Sequence, residues 1–211
     1  MQQKLLYAIG SMLRGNRAAQ FHLCQSGKDT VLATALEKTL SFVERQQQIE
    51  EEDEDWNNNN NNNVKLSQRL LQLVDDIVSD LNLHPGQSPI MDHQILKSFS
   101  SEKWCTAVLR GAAAASTVSQ RQQLPTPSQL SSSALQETAI HAIQTLLGGH
   151  CKEQWDLHVV RKHIATVLES WDVPNAASSN MEEEDRSSVH HEERRDLALA
   201  VLTLLDQNDK Q

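Results

Sequence analysis

The sequence predicts an all-α protein built as a stack of helical repeats, and three observations carry that expectation. Hydrophobic residues make up 38% of the chain and aromatics 4%, so any core is made of Leu, Ile, Val and Ala, which pack helices more readily than they fill β-sandwiches. Apolar residues recur at helical spacing along most of the sequence. One ten-residue apolar pattern also returns three times in the same phase, with shorter helices between its copies. Seven glycines and five prolines are few for a β protein full of tight turns.

Taken in order, the periodicity predicts helices at 3–14, 17–25, 29–45, 64–81, 103–115, 133–147, 156–171 and 192–206. Breakers fall between them: Gly15, Ser26-Gly27, His84-Pro85-Gly86, Gly148-Gly149 and Val173-Pro174. Glycine suits the left-handed residue after a helix, and proline cannot continue one. Three polar stretches separate the helical blocks. The insertion at 46–63 joins glutamines, an acidic run and seven asparagines, the linker at 116–132 is rich in Ser, Gln and Pro, and the loop at 175–191 is Ser-rich and acidic. Such segments bury too little apolar surface to offset their ordering entropy, so all three are expected to be disordered. The resulting organisation is helices at 1–45, 64–115 and 133–174, with a terminal helix in 192–211.

The repeated pattern reads as two apolar residues, one variable, two apolar, two variable, two apolar and one variable. It runs through Leu5 to Arg14, Leu70 to Ser79 and Ala139 to Gly148, and loosely through Leu197 to Asp206, where Leu199 and Leu202 occupy variable positions. The paired apolar positions form the packing face, and the variable ones fall opposite at steps of three and four. This predicts stripes of Gln3, Tyr7, Ser11 and Arg14; of Gln68, Gln72, Asp76 and Ser79; and of Glu137, His141 and Thr145. Stacked repeats would align these stripes into one polar ladder. Tyr7, Ser11, Arg14, Gln72, Asp76 and His141 are the expected partner-binding residues, Tyr and Arg being common anchors at interfaces.

Several function classes are disfavoured. A net charge of −9 argues against nucleic-acid binding, although much of the excess sits in two short runs, Glu50 to Asp55 and Glu182 to Asp185. Both runs read as solvated loops. Cys24, Cys105 and Cys151 follow no zinc spacing, and three cysteines leave at least one thiol unpaired, so they do not decide the compartment. His158 and His163 are five apart, whereas two zinc ligands on one helical face want a spacing of about four. His190-His191 sits in the acidic loop. There is no G-x-S-x-G, no H-E-x-x-H and no phosphate-cradling glycine loop, and Gly148-Gly149-His150-Cys151 reads as a helix stop. No metal, cofactor or catalytic residue is expected, nor a membrane span, since no apolar stretch approaches the roughly 18 residues required. Trp104, Trp155 and Trp171 stand near helix ends, where packing is expected, while Trp56 lies among acids and asparagines.

Residues 4–14, followed by Ala19-Gln20-Phe21, Ser26-Gly27 and Val31-Leu32, resemble the armadillo repeat of the Fes and Sil-one nucleotide exchange factors. Further along, Leu70 to Ser79, Lys103-Trp104-Cys105 and Ala139 to Leu147 come in the order of the C-terminal half of the Sil-one type. The likeness is close only over Leu5 to Leu32. The family's double glycine is reduced to Gly27, Arg17 stands in its proline region, and the asparagine tract is foreign to it. The resemblance implies an armadillo-like solenoid that binds the ATPase domain of the endoplasmic-reticulum chaperone BiP as a monomer and promotes ADP release. It also implies that the chain begins inside a repeat, with a secretion signal upstream. A cytosolic exchange factor of the Fes kind, an armadillo scaffold unrelated to chaperones, and a helical enzyme of unfamiliar type are the alternatives.

Overall fold

The computed structural model describes residues 2–46, 54–86, 88–119, 127–147, 150–171 and 181–208. Among these residues it contains nine α-helices, one short 3-10 helix and no strand. Helix α1 (Gln2–Leu13) ends before Gly15, whose φ of 67° is the left-handed conformation that glycine takes without steric cost. Asn16 then caps α2 (Arg17–Gln25) by accepting the Ala19 N–H, and Gly27, with φ 69°, turns the chain into α3 (Lys28–Gln46). Next come α4 (Glu54–Leu83), α5 (Pro89–Phe99), α6 (Glu102–Ser119) and α7 (Pro127–Leu147). The 3-10 helix His150–Glu153 leads to α8 (Leu157–Trp171) and α9 (Met181–Asn208).

Two expectations change. Parts of the polar stretches read as disordered are helical: α4 starts at Glu54 and runs through the asparagines, α6 continues to Ser119, α7 starts at Pro127 and α9 at Met181. In each case a well-packed amphipathic segment supplies the nucleus. Adding turns to an existing helix carries none of the nucleation cost, so even asparagine, a mediocre helix former, propagates it. The remainder of those stretches, at 47–53, 120–126 and 172–180, lies outside the described residues, as do Gly148-Gly149 and Val173-Pro174. The second change is α5, a helix absent from the expected set. It starts with Ser88 at its N-cap and Pro89 in its first turn, and it buries Ile95 and Phe99.

Helices three apart in order pack on one another. Helix α1 lies on α4, α2 on α5, α3 on α6 and α4 on α7. Past α7 the 3-10 helix stands where another short helix would fall, so α6 meets α8 and α7 meets α9. The α1–α4 pair is parallel, since Tyr7 meets Arg69 and Arg14 meets Asp76 at one common separation of 62 residues. Helix α4 is the centre of the core: Leu70, Leu71, Leu73, Val74, Ile77 and Val78 are all buried. A fully buried side chain of this size contributes roughly 1.5–3 kcal/mol, so this segment anchors the stack.

Polar contacts tie the layers together. Arg17, the first residue of α2, donates to the Asp80 carboxylate (2.8 Å), the Asp80 carbonyl (2.9 Å), the His84 carbonyl (2.8 Å) and Gln20 Oε1 (3.2 Å). Asp92 of α5 lies 3.4 Å from its Nε. One guanidinium thus closes the C-terminal end of α4, whose last carbonyls have no partner inside the helix. Buried Gln20 does the same for α1 by donating to the Leu13 carbonyl (2.8 Å). Ser98 of α5 donates to buried Asp29 of α3 (2.7 Å), and Arg110 of α6 forms a two-pronged pair with Glu44 of α3.

At the far end Cys105 of α6 is disulfide-bonded to Cys151 of the 3-10 helix, with a Cα–Cα distance of 5.5 Å. Buried Trp155 donates its indole N–H to the Cys105 carbonyl (2.9 Å), and Trp104 packs on Phe99 with ring centroids 5.5 Å apart. Trp104 and Trp155 are therefore packing residues at helix ends. The side chains of Trp56, Trp171, His190 and His191 lie outside the described ones.

Candidate polar face on the α1–α4–α7 row

The variable positions of α1 and α4 emerge on adjoining parallel helices, but shifted by three residues from the repeat register, so that Tyr7 lies beside Arg69 and Arg14 beside Asp76. Tyr7 is 61% exposed, and its ring lies under the guanidinium of Arg69, with Cζ 5.9 Å from the ring centroid. Arg14 Nε pairs with Asp76 Oδ2 at 2.6 Å. Between them is a shallow depression lined by Leu6, Tyr7, Gly10, Arg14, Arg69, Gln72 and Leu73. A Cβ on Gly10 would meet Leu73 Cδ1 at 3.8 Å and Arg14 at 4.0 Å, ordinary contact distances, so the floor of this hollow has room for a methyl group.

Of the six residues singled out by sequence, the structure gathers Tyr7, Arg14 and Gln72 in the depression and adds Asp76 through its pair with Arg14. Ser11 is exposed one turn beyond Tyr7 and donates to the Ala8 carbonyl of its own helix (2.9 Å). His141 is exposed on α7, apart from the depression. On its helix Thr145, one turn further on, bonds both Asp75 and Ser79 of α4. Glu137, at the start of the third stripe, pairs with Arg194 of α9 at 2.9 Å. The stripes are therefore partly consumed in holding the row together, and the Tyr7–Arg69 end is the part left open.

Arg69 is the residue that sequence reasoning missed. It stands three positions before Gln72 and four after Lys65, so it shares their stripe; that spacing was the available signal. Chemically the face offers hydrogen-bond donors, an aromatic ring and a cation for a partner. Among the described residues no group of three or more His, Cys, Asp or Glu is arranged to hold a metal ion, and no helix is long and apolar enough to cross a membrane. Compared with protein-family models, with curated proteins and with solved structures, the chain finds no match in any of the three.

Proposed function

We propose that the chain is an armadillo-type helical stack acting as a nucleotide exchange factor for the BiP-like chaperone of the endoplasmic reticulum. The observation that carries this reading is the parallel row of α1, α4 and α7, with packing that recurs every third helix and a polar face along the row. Three-helix repeats stacked in this way are what the resemblance of the 5–32 segment implies. The Cys105–Cys151 bond supports an oxidising compartment over the cytosol, where such bonds rarely persist. That favours the lumenal reading over a cytosolic Fes-type factor.

In this reading the stack embraces one lobe of the chaperone ATPase domain and favours the form in which the two lobes stand apart. ADP contacts both lobes and binds the opened form poorly. Linkage then requires that the stack weaken ADP and ADP weaken the stack by the same factor. A preference of about 3 kcal/mol for the open form corresponds to roughly 150-fold. No catalytic group takes part; binding energy spread over a polar surface with a few anchors does the work.

The test is to titrate the protein into the chaperone ATPase domain by calorimetry, with and without saturating ADP. The proposal expects tight association with the nucleotide-free domain and a large loss on adding ADP. Equal affinity in both states would leave an armadillo scaffold without exchange activity, and no association would remove the chaperone altogether.

A further inference from the structure

The polar face has a charge sign of its own. The whole chain carries −9, yet α1, Arg14 just past its end, and residues 64–74 of α4 together hold four cations and no acid. Lys4, Tyr7, Ser11 and Arg14 follow one another at steps of three and four, as do Lys65, Arg69, Gln72 and Asp76, so each set shares a helical stripe. Lys4, Lys65 and Arg69 are exposed. Arg14 is neutralised by Asp76, whereas among the described residues Arg69 has the Tyr7 ring beneath it and no carboxylate within ion-pair distance.

We infer that the Tyr7–Arg69 end of the row is a subsite for a carboxylate side chain on the surface of the partner protein. A guanidinium held over an aromatic ring at 5.9 Å keeps its N–H groups free to grip a carboxylate with two parallel hydrogen bonds. Attraction to the Tyr7 ring biases Arg69 toward this position before the partner arrives, which reduces the side-chain entropy lost on binding. Gln72 adds an amide beside it, and Lys4 and Lys65 add long-range attraction that speeds encounter. A phosphate polymer fits less well. Asp75 and Asp76 stand on α4 within two turns of Arg69, and a continuous polyanion tracking the row would run onto them.

The inference rests on the exchange-factor reading, and the experiment separates the two. Association of the full chain with the nucleotide-free ATPase domain of the endoplasmic-reticulum chaperone is measured at low salt and at about 0.3 M salt, where exposed charges are strongly screened. Wild type, Arg69→Glu, Arg69→Lys and Lys65→Glu are compared, with helical content and Tm checked for each. The expected results are loss of affinity by at least about tenfold for Arg69→Glu, a smaller loss for Arg69→Lys, and slower association with a flatter salt dependence for Lys65→Glu. If wild type does not bind at all, both the exchange-factor reading and this inference are overturned. If wild type binds and Arg69→Glu binds equally well, the subsite is overturned while the exchange-factor reading stands. Displacement of the ATPase domain by a single-stranded oligonucleotide, but not by an acidic peptide of equal length, would also overturn the carboxylate assignment.

Discussion

Replacing Arg17 by Met removes the guanidinium while keeping most of the stem that packs beneath it. In the folded protein this side chain is 18% exposed and makes four hydrogen bonds of 2.8–3.2 Å, two of them to carbonyls at the end of α4. The variant leaves Asp80, 31% exposed, and Asp92, 16% exposed, without their cation. Asp92 keeps the Gly86 N–H, and Asp80 retains access to water, so neither carboxylate is orphaned. Hydrogen bonds to a charged group contribute about 1.5–3 kcal/mol each, and breaking a buried pair costs about 3–5 kcal/mol. With partial exposure and the surviving partners discounted, the expected loss is about 3 kcal/mol. For a chain of this size that lowers Tm by roughly 6–12 °C. Urea unfolding followed by far-ultraviolet circular dichroism reads the change. Arg17→Lys should recover less than half, because a single ammonium cannot span acceptors on α4 and α5 together. A loss within about 0.5 kcal/mol, the range of ordinary surface changes, would refute the view that Arg17 clasps the first helices to the α4 end.

Three further outcomes follow from the packing. Opening the Cys105–Cys151 bond, which closes a 46-residue loop, should cost up to about 4 kcal/mol in the chain-entropy account; thermal melts with and without reductant check this, with a Cys105→Ala and Cys151→Ala double variant as the reductant-insensitive control. Gly111→Val should cost about 1–3 kcal/mol by overpacking, since a Cβ at Gly111 already stands 3.2 Å from Leu71 Cδ1 and 3.8 Å from Ala139 Cβ; a shifted urea midpoint at unchanged slope is the readout. Burial, outweighing the Ser98 hydrogen bond that opposes it, pushes the Cys24 thiol from its ordinary value of 9.0 up to about 11. The folded protein then holds that proton more tightly than the unfolded chain, so this contribution to stability is present below pH 9 and lost as pH rises from about 9 to 11. Iodoacetamide labelling at pH 8 should be slow until the protein is unfolded, and Cys24→Ala should flatten the alkaline fall in stability.

How much of this was legible depended on how local each cause is. Helices α4, α6 and α7 announce themselves because their paired apolar positions are the ones the structure buries, as with Leu70, Leu71, Leu73 and Val74 or Ala139, Ile140, Ala142 and Ile143. In α1 the pairs are split, with Leu6 and Leu13 buried while Leu5 and Met12 are 63% and 67% exposed, because α1 packs on only one side of the row. The short helix α5 was missed because only Ile95 and Phe99 of its residues are fully buried, leaving no sustained stripe; Ser88-Pro89 was its one start signal. Helical runs through Asn57 to Asn63 were unreadable because their own propensity is poor and the packed turns that nucleate them come later in the chain. In α9 the looseness of the match was informative: Ala198, Val201 and Leu205 are buried while Leu199 is 42% exposed. Pairing of Cys105 with Cys151 and the clasp at Arg17 both depend on groups brought from distant positions, and no spacing encodes them. Arg17 appeared in the sequence only as a departure from the family pattern. For the polar face, the Tyr7–Arg14–Gln72–Asp76 grouping came from helical phase alone, whereas the Arg69–Tyr7 contact required knowing that α1 and α4 lie parallel and three residues off the repeat register.

The most direct measurement of the central claim is the rate at which a fluorescent ADP leaves the endoplasmic-reticulum chaperone's ATPase domain, followed by stopped flow with and without this protein. The account predicts that release accelerates in a saturable manner and that joint replacement of Tyr7 and Arg14 by Ala weakens the effect without loss of helical signal. An unchanged release rate at saturating protein, with the stack intact, would contradict it.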